Sequence, residues 1–146
     1  MIEEFMRRAP NVTEFFIPMK DPPTVTSQEK GLDTRNGQKR FYTKYEVKAV
    51  KQRFIELLSV HRPPEPLTGA IMLTTKWLYP DRSGRYRDGE YKTTKPDTDN
   101  TIKLFKDCMT AAGFWKDDAQ VASEHTEKFW VRESPSGIYV KVEVLP

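Results

Sequence analysis

At 146 residues, 37% of them hydrophobic and 31% charged, the chain can bury one core without disulfide or metal staples, and none of its windows approaches the ~18 uninterrupted apolar residues of a membrane-spanning helix. A single cysteine, Cys108, excludes an internal disulfide and a cysteine-cluster zinc site, so a reducing, intracellular (cytoplasmic) setting is expected. The formal net charge of +3 and pI of about 8.9 hint at a polyanionic partner, although many basic domains never meet nucleic acid.

Met1 to Pro10 carries Glu3, Glu4, Arg7 and Arg8 and has no apolar run suited to a signal peptide. Thr13 to Met19 (TEFFIPM) reads as a first strand, stopped by Asp21-Pro22-Pro23. Residues 24–40 are polar, with Gly31 and Asn36-Gly37, and read as a long loop. A helix is predicted over Thr43 to Val60, with Val47, Val50, Phe54 and Leu57/Leu58 on one face and Lys44, Lys48 and Lys51 on another; His61-Arg62-Pro63-Pro64 ends it. Leu67 to Tyr79 reads as a strand and Pro80 to Lys95 as a charged loop. Asn100 to Ala112 is predicted to be a second helix, with Ile102, Phe105, Met109 and Ala112 inward and Gly113 placed to end it. Two strands follow, Ala119 to Val131 and Ile138 to Leu145, joined by a turn at Glu133 to Gly137 and read as a closing hairpin. The order strand, helix, strand, helix, strand, strand points to one domain over 1–146 of α+β class, a two-layer sandwich with a mixed sheet and two main helices.

Two basic stretches stand before an acidic cluster. Lys39 to Arg53 holds Lys39, Arg40, Lys44, Lys48, Lys51 and Arg53 against Glu46, and Arg82 to Lys95 holds five more basic residues against Asp88 and Glu90. The cluster is Asp97-Thr98-Asp99-Asn100, with Asp118 following the second helix beside Asp117. If residues 97–99 are extended, Asp97 and Asp99 point to the same side. Carboxylates without histidine or cysteine suit a hard cation, Mg²⁺ or Mn²⁺, which could bind phosphate and lower the pKa of an attacking water. Lys103, four residues beyond Asp99, would stand one turn along the same helix face, where its ammonium could hold a scissile phosphate; Asp107 and Thr110 continue that polar face. A structural alternative fits the same spacing: Thr98 or Asp99 as a helix N-cap, Asp117-Asp118 as a solvated turn, and Lys103 as an ion-pair partner.

The stretch from Lys95 to Val121, KPDTDNTIKLFKDCMTAAGFWKDDAQV, resembles the signature region of the RusA family of Holliday junction resolvases without a gap: an acidic D-x-D-N, a lysine four residues after the second aspartate, and A-G-F-W-x-D-D-A-Q-V. The early aromatic strand, Pro-rich loop, basic helix and final strands resemble the family more loosely, and the loop Asp81 to Tyr91 is longer than the family minimum. The resemblance implies an intertwined homodimer of small α+β domains, bacterial or phage-encoded, that cleaves four-way DNA junctions with Mg²⁺. It implies that Asp97, Asp99 and Asp118 hold the metal, that Lys103 assists at the phosphate, and that Lys128 occupies a position where the family often has a basic residue. In that light Lys39, Arg40, Lys44, Lys48, Lys51 and Lys128 are candidate contacts to DNA phosphates, a plain solvated helix face being the alternative for the lysine stripe. Phe41, Tyr42, Tyr86 and Tyr91 could stack on unpaired bases, pack in the core or simply order their loops, while His61 and His125 carry no motif.

Geometry leaves one question. A helix from Asn100 to Ala112 is about 20 Å long, and residues 113–117 span at most about 17 Å. Either that segment doubles straight back to bring Asp118 to Asp97 and Asp99, or Asp118 serves the site of a partner subunit. Two other functions stay open beside the resolvase: a branched-DNA-binding module without turnover, and a nuclease of broader branched substrates such as flaps or forks.

Overall fold

The structure, a computed structural model, describes residues 11–24 and 44–146. Lys39, Arg40, Phe41 and Tyr42 lie outside the described residues, as do Met1 to Pro10 and most of the expected loop over 24–40. The elements in chain order are β1 (Val12–Pro18), α1 (Lys44–Ser59), β2 (Ile71–Pro80), α2 (Thr98–Ala112), a 3-10 turn (Asp118–Gln120), β3 (Val121–Val131) and β4 (Gly137–Val144). Each expected helix and strand is present, and the fold is α+β with a mixed four-stranded sheet and two helices.

The strands lie in the order β1-β4-β2-β3. β1 and β2 each pair with β4 antiparallel, whereas β2 and β3 run parallel. Antiparallel neighbours can be joined by a tight turn, but a parallel pair needs a crossover, and α2 makes that crossover between β2 and β3. The expected closing hairpin is therefore not formed: β3 and β4 are consecutive in sequence, yet β2 lies between them. The reason is visible in their side chains. Ile138, Val140 and Val142 of β4 are buried and suit an interior strand, while β3 carries Glu124, His125, Glu127 and Lys128 and suits an edge that must stay soluble.

Strict alternation along β2 buries Ile71, Leu73, Thr75, Trp77 and Tyr79 on one face. The helices cover that face. Phe54 of α1, Phe105 of α2 and Trp77 of β2 meet edge to face, with centroids 5.2–6.1 Å apart, the arrangement their ring quadrupoles favour. The predicted inward residues of α2, Ile102, Phe105, Met109 and Ala112, are all buried, joined by Thr101, Leu104 and Cys108. Burial pushes the Cys108 thiol up to about 12, so it packs as a small apolar group. Gly113 ends α2 in the left-handed region at φ 94, its N–H returning to the Met109 and Thr110 carbonyls.

The charged loop after β2 is fastened along its length. Asp81 accepts from the backbone N–H groups of Ser83 and Tyr86 and from the Ser83 hydroxyl. Asp88 accepts from the N–H groups of Arg132, Glu133 and Ser134, which hold its carboxyl below the usual carboxylate range and tie the loop to the β3–β4 turn. Tyr86 stacks on Trp130 at 4.9 Å and Tyr91 on Phe129 at 4.8 Å. Both contacts fasten the loop to β3.

Candidate active site

Asp97 is the N-cap of α2, with extended backbone (φ -71, ψ 140), but its side chain makes no cap hydrogen bond. Its carbonyl secures the helix start instead, accepting from Thr101 N–H at 3.1 Å and Thr101 Oγ1 at 3.0 Å. Asp99 already lies in the first helical turn, where the helix dipole favours a carboxylate. The two carboxylates thus come from different backbone conformations, one extended and one helical, rather than from a single extended run. Both side chains are exposed, and so is Lys103, one turn along on the face opposite Leu104 and Phe105. Further down that face Thr110 has a packing role: its hydroxyl donates to the Lys106 carbonyl and accepts from Trp115 Nε1 at 2.7 Å.

Asp99 opens onto a cleft of about 320 Å³, formed by Thr98, Asp99 and Ile102 of α2 with Glu124, His125 and Thr126 of β3. Glu124 bridges to Lys106 at 2.8 Å and His125 to Glu127 at 3.2 Å, while the Thr126 hydroxyl is buried without a partner. Glu124 and His125 held no place in the sequence reading of the site. No local motif marks them, and only the antiparallel return of β3 along α2 sets them beside Asp99.

Asp118 is elsewhere. It opens the 3-10 turn at the start of β3, and the adjoining Val121 pairs with Ile71 at the near end of β2. The far end of β3 meets the acidic cluster: Lys128 Nζ donates to the Thr94 and Pro96 carbonyls, each at 2.7 Å. Ten residues of mostly extended chain separate Asp118 from Lys128, roughly 30 Å at about 3.3 Å per residue. Residues 113–117 do not carry Asp118 back to Asp97; β3 makes that return and leaves Asp118 behind. Accordingly, among the described residues no three acidic, histidine or cysteine side chains gather so as to hold a metal ion. Asp117 has a structural task, its Oδ1 accepting from Ala119 N–H at 2.8 Å within a capping box closed by Gln120, whereas Asp118 takes no part in that box.

The segment entering the site is gripped by two lysines. Lys92 is only 8% exposed, with its ammonium 4.5 Å from the Trp130 ring centre and 5.3 Å from that of Tyr79. It donates to Thr94 Oγ1 and to the Lys95 carbonyl, each at 2.5 Å. Desolvation, and secondarily the Lys128 charge, hold the Lys92 pKa below its ordinary value; desolvation does the same for Lys128, opposed by the Asp97 carboxylate. Among the expected DNA contacts, Lys44 and Lys48 are exposed on α1 and Lys51 is half-buried. Lys128 points two donors inward, leaving one of the three on its ammonium.

The chemistry available is that of two exposed carboxylates with an ammonium one turn away, beside a basic helix. Oxygen donors of this kind fit a hard divalent cation, and the lack of a capping role for Asp97 leaves its carboxylate available to one. Among the described residues, no helix is long and apolar enough to cross a membrane. The profile of the family described as Endodeoxyribonuclease RusA matches residues 21–143. The chain is 30% identical over 121 residues to the uncharacterized protein YqaN of Bacillus subtilis (strain 168), covering 76% of this chain and 84% of that protein. It is 29% identical over 115 residues to a crossover junction endodeoxyribonuclease rusA of Lactococcus phage r1t, covering 74% of this chain and 81% of the phage protein.

Proposed function

The chain belongs to the RusA endodeoxyribonuclease family, and from that premise we propose that it resolves four-way DNA junctions by Mg²⁺-dependent phosphodiester hydrolysis, as a homodimer that places paired nicks in recombination and repair. The observation that carries the reading is Asp97, an N-cap residue whose carboxylate does no capping, next to Asp99 and one turn before the exposed Lys103. A helix start built for stability alone would use that side chain on its own N–H groups.

In this reading Asp97 and Asp99 hold Mg²⁺, with Mn²⁺ as a possible substitute, and Asp118 of the partner subunit completes the oxygen set. When bound, the ion would lower the pKa of a water and draw charge from the phosphate. Lys103 holds a non-bridging phosphate oxygen as negative charge builds on it. Lys44, Lys48 and Lys51 meet backbone phosphates, contacts that position a duplex arm without reading its sequence. A twofold dimer sets two such sites at a fixed separation, as symmetric nicking of a twofold junction requires.

The decisive experiment is cleavage of an end-labelled synthetic four-way junction in Mg²⁺, wild type beside D99N, with binding followed in parallel. Wild type should nick opposing strands symmetrically; D99N should bind and lose cleavage by about a hundred- to a thousandfold, the range for removing one charge-stabilising group at the reacting centre. Junction binding without cleavage by wild type, in either Mg²⁺ or Mn²⁺, would instead mark a binding module. Equal rates on flaps, forks and four-way junctions would widen the substrate class.

A further inference from the structure

Three successive carbonyls lead into the acidic cluster, those of Thr94, Lys95 and Pro96, and each accepts a hydrogen bond from a lysine ammonium. The next carbonyl, that of Asp97, accepts from Thr101. The backbone delivering Asp97 is therefore held at every residue. Lys92 reaches it from the loop after β2 and Lys128 from β3, and the two elements are themselves joined by the Lys92 N–H to Lys128 carbonyl bond at 2.9 Å. Register explains why Lys128 can do this. It pairs with Trp77, whose side chain is buried under the helices, and neighbours across a parallel pair share a face.

We infer that Lys92 and Lys128 are positioning residues that clamp the Thr94–Pro96 backbone and thereby set the Asp97 carboxylate for the divalent cation, an inference that rests on the nuclease reading above. The choice of lysine bears on the argument. Desolvating an ammonium is costly, two neighbouring ammoniums repel, and carbonyls could be satisfied equally by neutral amide or hydroxyl donors. What the ammonium adds is geometry: its three donors let the one Lys128 nitrogen span the Thr94 and Pro96 carbonyls together. The clamp acts on Asp97 because Lys128 is bonded one residue before it.

The test uses the full-length protein with K128M, K128R and K128Q, chosen because Lys128 is less buried than Lys92. Four quantities are read: thermal midpoint, junction binding without metal, cleavage rate against Mg²⁺ concentration, and Mn²⁺ affinity of the DNA-free protein by electron paramagnetic resonance. K128M should bind junction within about twofold of wild type. Its half-saturating Mg²⁺ should rise about tenfold, its Mn²⁺ affinity should fall by a similar factor, and high Mg²⁺ should recover much of the rate. A tenfold shift corresponds to about 1.4 kcal/mol at the metal. K128R, which keeps several donors, should restore most of the metal affinity; K128Q, whose shorter amide can keep only part of the clamp, should recover less, and it takes the place of K128M if that variant fails to fold. Wild-type Mg²⁺ dependence and Mn²⁺ affinity in K128M and K128Q would overturn the inference while leaving the nuclease reading intact. Loss of junction binding with unchanged Mn²⁺ affinity would also overturn it, and would make Lys128 a DNA contact. Absence of cleavage by wild type would instead remove the reading on which the clamp rests.

Discussion

Gly137 starts β4 at φ 150, and a Cβ there would collide with the Ile17 carbonyl oxygen and the Phe16 ring. Ile17 and Phe16 belong to β1, whose register runs from Val12 opposite Glu143 to Pro18 opposite Gly137, so the missing side chain lets the two strands close at this end. G137A should therefore lower stability by about 3 kcal/mol, the upper range for forcing a methyl into packed space, measured as a shift in denaturant midpoint without change of slope. A loss under about 0.5 kcal/mol would show that the strand ends separate at little cost. The acidic residues divide at the same scale. Asp81, Asp88 and Asp117 bind backbone N–H groups and shape turns, whereas Asp97 stands at a cap position and leaves capping to its carbonyl. Composition alone could not separate these roles, because each aspartate lies in a polar, charged stretch and the difference is one of hydrogen-bond direction.

α2 is the element that joins core to chemistry. One side is buried from Thr101 to Ala112, and the other begins with Asp99 and Lys103. Phe105, fully buried between Phe54 and Trp77, fixes its seat, and F105A should destabilise the protein by about 3–5 kcal/mol, followed by chemical denaturation. Its junction binding, measured well below the new midpoint, should change little, since Lys44 and Lys48, two of the proposed phosphate contacts, are exposed on α1. The inward face of α2 was legible because helical periodicity reports which residues share a side. Strand pairing was not. Alternation tells which way a side chain faces and says nothing of which strand lies alongside, so a good turn at Glu133 to Gly137 suggested a hairpin where β2 intervenes. One sign was available: the run Glu124, His125, Glu127 and Lys128 reads as an edge, and an edge strand can neighbour only one other.

At the scale of the whole molecule, the separation of Asp118 from the Asp97–Asp99 end of α2 decides how a site could be assembled. If the three carboxylates share one cation, as the proposed function has them, that separation, about 30 Å of β3, assigns Asp118 to the site of a second subunit. Purified heterodimers of D97N and D118N chains should then retain one intact site, made from the unaltered Asp97 of one chain and the unaltered Asp118 of the other. They should nick a four-way junction on one strand, at up to about half the wild-type nicking rate, where each homodimeric variant is inactive. Heterodimers as inactive as the homodimers would place each site within one subunit. The amino-acid sequence by itself determined the element order, the inward faces of the helices and the acidic stretch that resembles the family signature, because periodicity, capping and short motifs are local properties carried by neighbouring residues. Only the tertiary structure decided that β4 enters between β1 and β2, that Glu124 and His125 border Asp99, that Lys92 and Lys128 grip the segment before Asp97, and that Asp118 lies at the opposite end. Each of those relations joins residues distant in the chain, through strand register and the crossover of α2, and no local pattern encodes which distant partner a residue will meet.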